Sequence, residues 1–414
     1  MTIGLYTLTS PLHDEAAVNA ASASFVSEIE EALGWKFENH GPDFSPYGSE
    51  ELSLIYVRTG GTEGLFQEVY SRLEGPVLLL TSGKSNSLAA SMEILSFLNQ
   101  QGRSGEIIHG SVSYIAERIK VLAKVAKARQ TLRGCRLGVI GQPSDWLISS
   151  APDAAALKDR LGIELVDVPI EELVDEYHKV GMELRSQVAD AAKTQFDAHA
   201  PKALQKYSEG AFRIYVALRV LIDRYALNGL TLRCFDLLDS IGNTGCLALA
   251  VLNAEGIPAG CEGDVPALVS MTIGNALTGV SGFQANPSRI DPQAGEILFA
   301  HCTVPLNMLK AYTFNTHFES GIGIAISGDI PAGDATVFKV SGDLDRYFCC
   351  PAELVKCQSE GSLCRTQAVL KIKGPAEEIC RDYFLKNPVG NHHIIFSGNH
   401  RELFEAFMSA ILLK

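Results

Sequence analysis

Over the first two thirds of the chain, short apolar runs alternate with amphipathic stretches, so strand and helix periods follow one another. Ile3–Thr7 reads as a strand, residues 14–33 as a helix, and LSLIYVRTGGTEG as an apolar strand running into a glycine-rich turn. A helical pattern over Leu65–Leu73 and the strand PVLLLTSG follow. Strand, helix and strand in close succession imply a parallel β-α-β unit, since parallel neighbours need a crossover connection. SNSLAASMEILSFLNQQG is helical, with Leu88, Met92, Leu95 and Leu98 on one face. These elements predict a small doubly wound domain over residues 1–130.

A second series begins at LRGCRLGVIG, whose Arg136–Ile140 core is a strand followed by the loop QPSDW. IELVDVP repeats the strand pattern, a helical zone runs over Ile170–Leu227 with a break at Pro201, and TLRCFDLL and IPAGCEGD complete a domain over 131–285. The character then changes. GIGIAISGDIPAG, ATVFKVSGDLDRYFCCPAELV and QAVLKIKG are closely spaced apolar strands with Gly, Asp and Pro turns, which predict an antiparallel barrel or sandwich over 286–414. The amphipathic stretch HRELFEAFMSAILL closes the chain. The predicted fold class is therefore α/β, two doubly wound domains followed by a β-rich, barrel-like one.

The 414 residues suit several domains, and 46% hydrophobic with 20% charged residues is the make-up of a chain that builds cores. A formal net charge of −13 argues against nucleic acid or an anionic membrane as partner. The N-terminal MTIGLYTLTSPLHDE has no basic leader or signal-length apolar run, and no segment approaches the roughly 18–20 apolar residues of a spanning helix, so a cytoplasmic protein is expected. Ten cysteines without Cys-x-x-Cys pairing read as buried thiols, with Cys349–Cys364 the one denser group.

Candidate chemistry concentrates between Gly260 and Pro305, where Glu262, Asn286 and His301 stand in otherwise apolar sequence. They are too far apart to share a helix face, so folding must join them. Asp236 and Glu262 follow candidate strands, at the carboxyl ends where open α/β sheets bind ligands, although Asp236 also suits a helix start. SGKS at Ser82–Ser85 is not a P-loop, because position 78, where that motif needs glycine, is Leu. Ser82, Lys84, Ser85 and Asn86 still lie between strand and helix, where they either bind a polar ligand or form a capping turn. Gly60, Gly61 and Gly64 ease a tight turn.

GCEGDVPALVSM, FQANPSRID, FAHCTVP, THFESGIGIAISG and GNHHIIFSGNH together resemble the fucose and arabinose isomerase family, particularly its shorter fucose isomerase-like members. The resemblance covers most of residues 230–400. It implies two α/β domains and a β-barrel, a divalent cation, commonly Mn²⁺, and a homo-oligomer whose neighbouring subunit helps build each site. It further implies that Glu262 is ligand and catalytic base, that His301 is a ligand or close neighbour of one, and that the His392–His393 pair supplies another, assigned to His393. The family's acidic position in FQANPSRID carries Asn286, whose amide can offer an oxygen but cannot exchange protons near neutral pH. Glu319 is the candidate second proton carrier; with His317 it either serves the site or forms a structural pair. Asp264 would orient a ligand or cap a helix near Pro266. Arg289, His317 and Asn307 are candidate sugar contacts, together with Ser82, Lys84 and Asn86.

Interconverting an aldose and a ketose needs one proton removed beside a carbonyl and returned to the next carbon, which suits a carboxylate next to a polarising cation. The expected function is a metal-dependent isomerase of a monosaccharide or modified monosaccharide. Its alternatives are a catalytically silent sugar-binding relative and a lyase or epimerase using the same cleft.

Overall fold

The computed structural model describes residues 2–180 and 201–412. It divides into two compact units, residues 1–130 with 405–414, and residues 131–404. No described helix is long and apolar enough to cross a membrane.

In the first unit β1 (Ile3–Leu8), β2 (Glu38–Gly41), β3 (Leu52–Val57), β4 (Val77–Leu80) and β5 (Gly105–Ile108) form a parallel sheet in the order β2-β1-β3-β4-β5. Leu5, Leu54 and Leu80 enter one apolar cluster, while Tyr6, Ile55 and Leu79 enter another. Successive side chains point to opposite faces, so both faces are covered and the strands read as unbroken apolar runs. Edge strand β2, with sequence ENHG, lacks that run and carries no strand signal. The first helix, Glu15–Leu33, opens where Asp14 Oδ1 accepts from Ala17 N (3.0 Å) and ends at Gly34 with φ 73°.

The second unit holds β6 (Arg136–Ile140), β7 (Glu164–Val168), β8 (Gly229–Leu232) and β9 (Ala259–Cys261), parallel and ordered β7-β6-β8-β9. The helical zone after Ile170 contains helices Ile170–Lys179 and Gln205–Tyr225, and its stretch 181–200 lies outside the described residues. Strands β10 (Phe283–Asp291), β11 (Glu296–His301), β14 (Gly333–Val340), β15 (Tyr347–Gln358), β16 (Thr366–Ile372) and β17 (His393–Ser397) close an antiparallel barrel in the order β10-β11-β16-β15-β14-β17. The remaining two, β12 (Ala311–Asn315) and β13 (Ala325–Asp329), form a separate ribbon.

One helix, Val265–Thr278, joins sheet to barrel. It packs against β8 and β9 on one side and β10, β14 and β17 on the other, which is why VPALVSMTIGNALT has almost no polar face. A Cβ on Gly274 would come within 2.0 Å of the Phe396 ring of β17, so only glycine permits that approach. One continuous core runs from Ile140 and Leu232 of the sheet to Phe299 and Ile395 of the barrel. The expected limit at 285 therefore falls within β10 and within a shared core. Two α/β sheets and a C-terminal antiparallel barrel nonetheless make up the fold, as the alternation of apolar runs predicts.

Candidate metal centre and sugar cavity

The residues that converge come from three kinds of segment. Glu262 occupies the turn between β9 and the helix Val265–Thr278, with φ 65°. A non-glycine residue there costs roughly 1–2 kcal/mol, strain that marks a turn shaped by more than chain reversal. Gly263 follows at φ 69°, and a Cβ on it would lie 2.7 Å from Gln142 O and Pro143 Cα, so the loop after β6 packs directly against this turn. Ser144 N–H donates to Glu262 O (3.0 Å) and Trp146 Nε1–H to Glu262 Oε2 (2.7 Å).

His301 ends β11, and His392 immediately precedes β17. Their Nε2 atoms lie 3.6 and 3.4 Å from Glu262 Oε1, too long for good hydrogen bonds. The three donor atoms all fall within 4.8 Å of one another. Each imidazole is oriented through its other nitrogen. His301 Nδ1 meets Thr303 Oγ1 at 2.9 Å, and His392 Nδ1 meets Asp264 Oδ2 at 2.8 Å. Asp264 also accepts from Ala267 N at the start of its helix (2.7 Å) and from the buried ammonium of Lys339 (3.3 Å).

Electrostatics favour the charged forms of Glu262, Asp264 and His392. Burial would raise the Glu262 carboxyl, but His301 and His392 outweigh it and keep it far below the usual carboxylate range. Burial likewise opposes ionisation of Asp264, yet Lys339 and His392 lower it to about 2. His392 loses stability as a cation through burial, and the carboxylates of Asp264 and Glu262 more than restore it, lifting it to about 9. His392 Nε2 is buried and has no hydrogen-bond partner, although it points at a carboxylate.

A divalent cation would displace the proton from His392 and take that orphaned nitrogen as a ligand. Two imidazole nitrogens and one carboxylate oxygen, with the histidines backed by a carboxylate and a hydroxyl, form a donor set suited to Mn, Fe or Zn ions. The residues fit a divalent cation. Among the described residues this is the group of His, Cys, Asp and Glu that could hold one; the cysteines at 349–364 take no part.

A cavity of about 320 Å³ adjoins the array, lined by Trp146, Phe235, Glu262, Asn286, Glu319 and Asn391. Comparison with known proteins then adds an independent finding. The chain is similar to sulfoquinovose isomerases. It is 25% identical over 241 residues to the protein of that name from Priestia aryabhattai, covering 56% of this chain and 53% of that protein. With the sulfoquinovose isomerase of Clostridium sp. (strain MSTE9) it shares 26% over 243 residues, 56% and 54% of the two chains. A third of that name, from Alkalicoccus urumqiensis, is 22% identical over 251 residues. The chain spans about half the length of the curated relatives it matches. No protein-family model matches it.

The other expected residues are distributed unevenly. Glu319 and Asn286 line the cavity, the latter accepting from Asn391 Nδ2 (3.1 Å). His393, expected as the ligand, points the other way. It pairs with Ala285 across the barrel and turns inward with Ile395, where Tyr383 Oη and His393 Nε2 lie 2.8 Å apart and Phe299 and Phe384 surround the ring. Strand alternation sends His392 to the opposite face with Ile394, toward Glu262. Burial holds the His393 ring neutral, near a pKa of about 3. His317 stands behind Phe235, edge-on at 5.5 Å, with Nδ1 near Ser320 Oγ (3.0 Å); burial and the nearby His301 lower it to about 4.

Arg289 is exposed and paired to Glu360 (2.7 Å), and Asn307 donates to Ser281 Oγ (3.1 Å); neither lines the cavity. Asp236 begins a short helix and pairs with Arg233 (3.1 Å), beside a 410 Å³ surface hollow whose arginine is thereby already engaged. Ser82, Lys84 and Asn86 belong to the first unit, where Lys84 N–H donates to Ser82 Oγ (3.3 Å) and Asn86 adopts φ 58° before the helix Ser87–Gln100. They form a turn before that helix, whose first residues receive no side-chain capping hydrogen bond. Trp146, Phe235 and Asn391 were not singled out by their sequence. For Trp146 and Phe235 the one signal was location, since QPSDW and TLRCFDLL run off the carboxyl ends of parallel strands, where ligand loops gather; Asn391 was marked only by its place beside His392.

Proposed function

We propose that the protein is a metal-dependent aldose–ketose isomerase of a modified monosaccharide, working through an enediol. The observation that carries this reading is the convergence of Glu262, His301 and His392 on one wall of the cavity, with His392 Nε2 otherwise unpartnered. Similarity to proteins named sulfoquinovose isomerase supports the substrate class. Glu262, His301 and His392 would hold the cation, which when bound polarises the sugar's carbonyl and hydroxyl oxygens. Glu262 and Glu319 are the carboxylates that face the cavity and would remove a proton beside the carbonyl and return one to the adjacent carbon. Asn286 and Asn391 offer amides for sugar hydroxyls, and Trp146 and Phe235 supply aromatic surface to the cavity. The enzyme would act in the cytoplasm as a homo-oligomer, with the site near a subunit interface.

The test is aldose–ketose interconversion across sulfoquinovose, fucose, arabinose and related sugars, with and without Mn²⁺, read together with incorporation of solvent deuterium at C1 or C2. Turnover that needs a divalent cation and disappears in Glu262→Gln is expected. Undiminished exchange in that variant would sink the mechanism. Asn286, an amide where the family carries an acid, favours a second reading, a silent sugar-binding relative. Calorimetric sugar binding without product across the panel would select it.

A further inference from the structure

The loop after β6 is clamped with unusual thoroughness for a surface segment. Arg233 Nη1–H donates to Pro143 O (2.7 Å), its Nη2 pairs with Asp145 (3.1 Å), and Ser144 N–H donates to Glu262 O (3.0 Å). Leu147, buried, anchors the far end through Leu147 N–H to Ser144 O (2.9 Å). Between these fixed points stands Trp146, 51% exposed. A large apolar ring left half in water costs burial energy, and a loop held this rigidly could have turned it inward. Its one polar atom is spent on Glu262 Oε2 (2.7 Å), and its edge packs at 82° against Phe235, 5.0 Å away. The exposed ring lines the cavity.

The two oxygens of Glu262 are thus divided: Oε1 faces His301 and His392, and Oε2 takes the indole N–H. Without that donor the carboxylate could rotate about its last bond, and the pocket would lose a defined one-oxygen ligand. We propose that Trp146 is a two-sided positioning residue, whose N–H sets the carboxylate of Glu262 while its exposed ring is the platform on which the sugar's C–H face stacks. The assignment rests on the isomerase reading for its substrate, but not for its contact with Glu262.

Two variants separate the two sides. Trp146→Phe keeps a ring and loses the donor; Mn²⁺ affinity, measured by calorimetry on cation-stripped protein, and kcat are expected to fall about 10- to 100-fold, as for other groups that orient a metal ligand, while KM stays within about twofold. Trp146→Leu removes both, and KM is expected to rise about tenfold in addition. The chain has two tryptophans, Trp35 and Trp146, so the indole N–H proton resonance of Trp146 is assigned by Trp35→Phe. Glu262→Ala is expected to shift the Trp146 resonance and leave that of Trp35 in place. Wild-type Mn²⁺ affinity in Trp146→Phe, or a Trp146 resonance indifferent to Glu262→Ala, overturns the positioning role, and an unchanged KM in Trp146→Leu overturns the platform. A wild-type protein that neither binds Mn²⁺ nor turns over a sugar defeats the isomerase reading, and the resonance still decides the contact.

Discussion

Each unit buries a carboxylate beside imidazole and aromatic rings, yet only one of the two arrays has chemistry left to offer. In the first unit Glu50, its side chain 3% exposed, takes Tyr6 Oη–H at 2.5 Å and lies 2.7 Å from His40 on Oε1, while Ser53 Oγ–H donates to Oε2 at 2.9 Å. Tyr6 stacks on His40 and Phe44, and Gly4 leaves room for the carboxyl, since a Cβ there would come within 2.6 Å of it. Glu262 is less buried, at 13%, keeps its histidines at 3.4 and 3.6 Å, and opens on a cavity. The first carboxylate is held by short contacts, although His40 Nε2, like His392 Nε2, makes no well-formed hydrogen bond. The second is surrounded by donors aimed at a common point and not satisfied by one another. Both carboxylates are largely buried beside imidazoles; what distinguishes the second is that two imidazole nitrogens and a carboxylate oxygen converge beside open volume.

The comparison can be broken most directly at Glu262. Glu262→Gln is expected to cost about 10²- to 10⁴-fold in kcat, the worth of a general base, with little change in the unfolding midpoint. Stability lost with activity retained would reverse the assignment. Next in size is Asp264→Asn. Weakening the carboxylate that orients His392 is expected to lower divalent-cation affinity about 10- to 100-fold by calorimetric titration, whereas His393→Phe, inside the barrel, is expected to leave that affinity near wild type. Equal losses in both would erase the distinction between the two strand faces.

Glu50→Gln should do the opposite of Glu262→Gln, costing on the order of 1.5–3 kcal/mol of stability and no cation affinity. Burial raises the Glu50 carboxyl, but Tyr6, Ser53 and His40 outweigh it, so its folded pKa lies below the unfolded value of roughly 4.3. A depressed carboxyl contributes stability that is fully present above the unfolded value and is lost as pH falls through the folded one. Thermal unfolding followed from pH 6 downward is therefore expected to show an acid-side loss in the wild type that is shallower in Glu50→Gln. The smallest effect belongs to Lys84→Ala: Lys84 does not line the cavity, and kcat/KM is expected to change within about twofold; a large rise in KM would restore Ser82, Lys84 and Asn86 as sugar contacts.

Much of this architecture was legible along the chain. Apolar runs with helices between them are how a parallel sheet covered on both faces is written, and the short strands after the second sheet spell an antiparallel barrel. GCEGD and FAHC drew attention to Glu262 and His301 because a carboxylate and an imidazole interrupt runs that otherwise bury completely. The pair at 392 and 393 was legible only as a pair. Alternation says that one histidine faces each way, but which way depends on where β17 sits in the barrel, and the register of Ala285 with His393 is a contact across more than a hundred residues. Trp146 was less visible still, because an indole in a polar loop carries no sign of the carboxylate it will meet 116 positions later.

Sequence alone determined the local periods, the strand–turn–helix junction that carries Glu262, and the residue types able to bind a cation, since each depends on neighbours a few positions away. Tertiary structure decided the rest: that Gly274 lets the Val265–Thr278 helix press onto the barrel, that His392 and not His393 reaches Glu262, and that Asp264, capping that helix, also orients His392 and meets Lys339. Those are distances between remote segments, set by packing and strand register, and no short stretch of sequence contains them.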